Sequence, residues 1–180
     1  MRTLKPCAAL LFALLVPAAA IAAAPATPAY LSELIGTWDL KGTVQGKPAH
    51  YRAQGAWVLD GGWLEFSMQD VATPPAYEAR VYIGYDRSAD DYIAHWLDKF
   101  GAAGARVVAT GGLHERTLVL NFPYASGAFR DTLTLADGGH GTLLIESQEK
   151  DGSWWTFARY QMKRLSSAAP APPAGAAASH

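Results

Sequence analysis

His95 and Tyr82 are the side chains best suited to proton transfer in this chain, with Arg80 and Glu78 at the alternate positions before Tyr82. An imidazole, a phenol, a guanidinium and a carboxylate on neighbouring strands could exchange a proton with a substrate held between them. Other catalytic signatures are missing: there is no Gly-x-Ser-x-Gly, no phosphate-binding glycine loop and no His-Glu-x-x-His. Binding chemistry has a broader base. Three carboxylates, Asp70, Asp98 and Asp131, and five rings, Tyr51, Tyr77, Phe100, Phe129 and Trp154, fall near one set of ends of alternating apolar runs. Acids and rings around an apolar interior suit an amphipathic molecule with a cationic or hydroxylated end. No metal is expected, because no loop has EF-hand spacing.

Strands must hold these residues. Beyond a short helical turn at 30–35, which Ser32 could cap and Gly36 ends, no useful helical periodicity exists. Alternating runs separated by Gly, Asp and Pro predict ten strands at 36–44, 48–59, 63–71, 77–86, 91–98, 105–110, 116–122, 128–136, 141–149 and 153–164. Ten strands with mostly tight turns imply an antiparallel up-and-down barrel, whose closure removes exposed edges.

Hairpin register tests which face is interior. A Gly61-Gly62 turn would set Leu59 against Leu64 and Trp57 against Phe66. A turn at Ser88-Ala89 sets Tyr85 against Tyr92, Ile83 against Ala94 and Val81 against Trp96. A Gly138-Gly139-His140 loop would pair Leu135 with Leu143 and Leu133 with Ile145, and the Asp151-Gly152 turn pairs Leu143 with Tyr160 and Ile145 with Ala158. One apolar face results, and it is the expected interior. The other face carries His50, Arg52, Glu65, Glu78, Arg80, Tyr82, His95, Arg130, Glu146 and Arg159, as a solvated exterior would. Closure in the opposite sense would turn that set inward, which a catalytic role for His95, Arg80, Glu78 and Tyr82 requires.

Strand direction separates the two rims. Trp38 marks the base together with the turns at Gly61, Ser88 and Gly138, with Arg159 or Arg164 of the last strand packing across its indole. The other rim carries the looser segments 72–76, 99–104 and 123–127 and the Asp151 turn, where barrels admit ligands.

The ends of the chain have a different composition. Residues 1–24 read as a secretory leader, with basic Arg2 and Lys5, an apolar core at 8–16 and an alanine-rich exit. A linker at 25–29, a folded unit at 30–165 and a disordered Ala/Pro tail at 166–180 complete the expected organisation. Loss of the leader removes Cys7, the single cysteine, and with it disulfides and thiolate chemistry; it also leaves no integral membrane span. Without Arg2 and Lys5, the fifteen Lys and Arg become thirteen against sixteen Asp and Glu, an unsuitable balance for nucleic acid.

Gly36-Thr37-Trp38, Gly84-Tyr85-Asp86 and His95-Trp96-Leu97-Asp98 resemble a family of uncharacterised secreted bacterial proteins, itself similar to lipocalin-like (calycin) and nitrobindin-type barrels. The likeness spans roughly 31–164 and implies a calycin-like barrel and no established activity, while the leader at 1–24 points to a periplasmic or secreted location. Gly36 and Trp38 then carry a structural role. Nitrobindin-type barrels bind haem through a histidine and open Gly-x-Trp-x-Gly-x-Gly. Here Asp39-Leu40-Lys41-Gly42 follows Trp38, and His140 falls in a turn, so no cofactor is expected, haem included. The reading that results is a non-catalytic barrel for a small apolar or amphipathic molecule. Two alternatives are an enzyme using the His95 group and an envelope module docking a partner through an open strand.

Overall fold

The computed structural model describes residues 28–166; the expected leader, positions 25–27 of the linker and positions 167–180 of the tail lie outside the described residues. A short helix α1 (Ala29–Ser32) precedes ten strands: β1 (Gly36–Val44), β2 (Lys47–Val58), β3 (Trp63–Asp70), β4 (Glu78–Asp86), β5 (Asp91–Asp98), β6 (Val108–His114), β7 (Thr117–Phe122), β8 (Phe129–Ala136), β9 (His140–Gln148) and β10 (Trp154–Ser166). Each pairs antiparallel with its sequence neighbours, and β10 returns to β1 to close the barrel. The lipocalin-like reading fits this fold. Among the described residues no strand leaves an open edge for a docking partner, because each is paired on both sides. Among the described residues no helix is long and apolar enough to cross a membrane.

Alternation accounts for the core. Leu64, Phe66 and Met68 of β3, Val81 and Ile83 of β4, Leu133 and Leu135 of β8, and Leu143 and Ile145 of β9 are all buried, while their neighbours in sequence face outward. The Tyr85–Tyr92, Ile83–Ala94, Leu143–Tyr160 and Ala158–Ile145 pairs form as expected. Two registers differ. Leu59 does not oppose Leu64: it lies in a four-residue turn, 76% exposed, and Trp57 opposes Leu64 instead. Leu59 and Asp60 both take positive φ there, which lengthens the turn beyond its glycines. The β8–β9 loop is Asp137-Gly138-Gly139 rather than Gly138-Gly139-His140, so Leu133 pairs with Leu143 and Asp131 with Ile145. Both shifts are of two residues, and two residues preserve which face points inward.

The base is corked by α1. Leu31 and Leu34 are fully buried, and the Tyr30 hydroxyl donates to the Leu133 carbonyl at 2.6 Å. Trp38, also fully buried, donates its indole N–H to the Leu34 carbonyl at 2.9 Å. Gly36, at φ 110°, makes the sharp change from cork to β1 that a side chain would resist. The Arg164 guanidinium lies 4.7 Å from the centre of the Trp38 ring and donates to the Glu33 carbonyl. Arg159 does not share this role, because it stands one position out of phase and is exposed. Arg116 clamps the Glu33 carboxylate with two hydrogen bonds, at 2.7 and 3.4 Å.

Gly55 lets the cork sit close. A Cβ there would lie 2.1 Å from the Leu34 carbonyl oxygen, so alanine forces the helix or strand to move. Gly55→Ala is expected to destabilise the barrel by about 1–3 kcal/mol, as overpacking does. A urea midpoint unchanged in that variant would show the contact to be slack.

Candidate functional site

At the end opposite the cork, β1–β2, β3–β4, β5–β6, β7–β8 and β9–β10 are joined by segments that form an open mouth. Beneath it lies a cavity of about 680 Å³, walled by Tyr51, Tyr77, Trp96, Phe122, Tyr124, Phe129, Asp131, Phe157 and Tyr160 among others. That volume lies within the range of about 300–1,000 Å³ usual for small-molecule pockets.

The wall is a chain of rings. Tyr160 meets Tyr51 edge-on at 5.5 Å, Tyr51 meets Tyr77 at 5.7 Å, and Tyr77 meets Phe100 at 5.9 Å. Across the mouth, Phe122 stacks on Tyr124 at 5.9 Å, Tyr124 packs edge-on against Phe129 at 5.7 Å, and Phe129 against Phe157 at 5.3 Å. Trp96 joins the two arcs, lying 6.5 Å from Phe122 and donating its indole N–H to the Tyr77 hydroxyl at 3.0 Å. Burial raises the pKa of Tyr51, Tyr77, Tyr124 and Tyr160, so these phenols stay neutral.

Asp131 differs from the other carboxylates. It is 6% exposed, one inward step below Phe129, between Leu120 of β7 and Ile145 of β9. Its carboxyl makes no hydrogen bond or ion pair among the described residues, and burial alone pushes its pKa up from 3.8 to about 8. Asp98 is tied into the rim: its Oδ1 accepts from the Phe100 N–H at 2.9 Å, and the Tyr77 hydroxyl approaches its Oδ2 at 3.5 Å.

Of the residues expected at the mouth, Tyr51, Tyr77, Asp98, Phe100, Phe129 and Asp131 line the cavity. Asp70 does not; its Oδ1 caps the Ala72 N–H at 3.0 Å in the β3–β4 turn. Trp154 does not either. A bulge between Thr156 and Ala158 adds one residue to β10, so Trp154 faces outward under the Arg130 guanidinium, 4.3 Å from its ring centre. Phe157, the bulged residue, lines the cup in its place. Trp96, Phe122, Tyr124 and Tyr160 also line the site; Phe122 and Tyr160 are legible only as alternating apolar positions, Tyr124 only as part of the loose 123–127 segment, and Trp96 only within the His95-Trp96-Leu97-Asp98 likeness.

The proton-transfer group forms on the wrong side. Tyr82 and His95 do pair across β4 and β5, but they alternate with the buried Val81, Ile83 and Ala94 and so face outward. Arg80 pairs with Glu65 at the surface, and the exposed Glu78 accepts from Gln69 Nε2 at 2.9 Å. His95 Nε2 donates to the Ala105 carbonyl at 2.6 Å, holding the turn after β5. Charged side chains remain hydrated where an apolar alternative fills the inside. Among the described residues no three His, Cys, Asp or Glu come together as a metal site needs. A hollow of about 420 Å³ at the base is walled by Arg116 and Arg164, whose guanidiniums are engaged with Glu33.

The family model described as "Protein of unknown function (DUF1579)" matches residues 26–164. No curated protein matches the chain. Among solved structures, the "Crystal Structure of Rv2717c from M. tuberculosis" is similar with a TM-score of 0.55 at 15% identity, covering 78% of this chain and 99% of that one. At that identity the likeness concerns the fold alone.

Proposed function

The chain belongs to the DUF1579 family, and since that description carries no activity, we propose a function from the site: the barrel binds a small apolar or amphipathic molecule in its cup, without catalysis. The observation that supports this reading most is the cavity of about 680 Å³, open at one end and corked at the other, with a nearly continuous aromatic wall. A barrel built only for stability gains by filling such a space, because each unfilled void forfeits packing. The outward His95 group supports no catalytic counterpart. The leader read at 1–24 supports a periplasmic or extracellular setting, where a carrier or sensor of small amphiphiles would meet its ligand.

Titration with N-phenyl-1-naphthylamine, a neutral apolar fluorophore, tests the proposal. Emission is expected to rise and saturate near one probe per chain. It should fall sharply in Ala105→Trp, which fills the mouth from a turn rather than from a strand. Absence of saturable uptake by the folded wild-type protein would overturn the reading.

A further inference from the structure

The cup contains acid and no base. Its lining includes Asp98 and Asp131 and not one Lys, Arg or His, although the outer face is rich in them. A cavity for carboxylate or phosphate head groups favours a cation at the head-group seat, and this lining holds none. Asp131 in turn is buried, points into the cavity, and has no internal partner among the described residues. A buried carboxyl normally finds a partner, and one that finds none in its own fold is free to take one from a ligand. The rings of Tyr124 and Tyr160 are close enough to feel its charge, and with Tyr51, Tyr77 and Trp96 they offer π-faces to a cation.

From these placements, and resting on the ligand-binding reading above, we infer that the cup selects a protonated amine carried on an apolar body, its ammonium seated at Asp131 among the aromatic rings. An ammonium donates a charge-assisted hydrogen bond to the carboxylate and a cation–π contact to the rings, while the hydrocarbon fills the cavity toward Met68 and Ile145. Anionic amphiphiles meet two carboxylates and no donor of opposite charge. Neutral alcohols lie between.

Calorimetric titration with decylamine, decan-1-ol and decanoate, which share one chain and differ only in head group, tests this. Decylamine is expected to bind about tenfold to a hundredfold more tightly than decan-1-ol at pH 8, the range a hydrogen bond to a charged group commands, and decanoate most weakly. Asp131→Asn, which keeps the side-chain shape, should bring decylamine to the level of decan-1-ol and leave decan-1-ol unchanged within about twofold. The wild-type preference should grow between pH 6 and pH 8 as Asp131 ionises. Tyr124 and Tyr160 are close enough to feel the Asp131 charge, and Tyr51, Tyr77 and Asp98 are the other titratable groups lining the cavity; the tyrosines stay neutral there, while Leu120 and Ile145 beside it carry no charge. The variant should show no such growth. Equal binding of all three compounds, or a preference that survives Asp131→Asn, would overturn the amine assignment and leave the ligand-binding reading standing. Failure of all three to bind would overturn both.

Discussion

Replacing Asp131 with asparagine is expected to stabilise the folded chain by several kcal/mol at pH 9 and hardly at all near pH 4. The folded carboxyl has its pKa raised from 3.8 to about 8 by burial, so between those values the native state holds a proton that the unfolded chain has released. Stability therefore falls as pH rises through that interval. Below it both states are neutral, and the acid has no effect. Above it both are ionised, and the full penalty of a buried charge persists. Each decade between the two pKa values contributes about 1.4 kcal/mol, which sets a ceiling of about 6 kcal/mol. Asparagine removes the ionisation and keeps the shape, so urea denaturation of the two proteins at pH 4, 6 and 9 should give midpoints that diverge upward with pH. Parallel midpoints across the range would mean that the carboxylate is hydrated in the folded state.

Trp38→Ala is expected to destabilise the barrel by about 3–5 kcal/mol, the usual loss for a fully buried large side chain. Three contacts fail together. The indole leaves a void under α1, the Leu34 carbonyl loses its donor, and the Arg164 guanidinium loses the ring it lies across. With typical domain stabilities of about 5–15 kcal/mol, such a loss is a large share of the whole. Trp38→Phe keeps much of the volume but not the N–H, and should fall between the two. An unchanged denaturation midpoint in Trp38→Ala would show that the cork is held by Tyr30 and Arg116 alone.

Alternation made the barrel legible, because turn lengths were the main unknown and errors of two residues leave parity intact. Leu59 shows this: it was displaced into a turn, yet Trp57, Leu64 and Phe66 still face inward. An odd insertion is different. The bulge at Phe157 exchanged Trp154 for Phe157 in the cup, and nothing in Trp-Trp-Thr-Phe-Ala distinguishes a bulged strand from a regular one. The sixth strand was expected at 105–110 but runs Val108–His114, after a 3₁₀ turn at Gly104–Arg106. Gly111-Gly112 reads as a break by composition. In the structure Gly111 is the place where β6 crosses close over β7, for a Cβ would lie 1.8 Å from the Val119 carbonyl oxygen. Hydrogen-bond partners are equally hard to read from spacing: Asp98 and Asp131 share the inward face, but only the three-dimensional neighbours show that one is tied down and the other is not.

Nine of the ten ladders zip strands that follow one another along the chain; the tenth clasps the first to the last. Emerging from synthesis, the polypeptide can lay down hairpin after hairpin, but β1 and β9 keep raw edges until β10 arrives. The same late strand delivers Arg164 to the Trp38 indole, so the wall shuts and the cork locks in a single event. A chain stopped before Trp154 would thus be no smaller container with one stave fewer. It would be a curled ribbon with two sticky margins and a loose stopper, dependent on whatever shields such margins until the last residues are made.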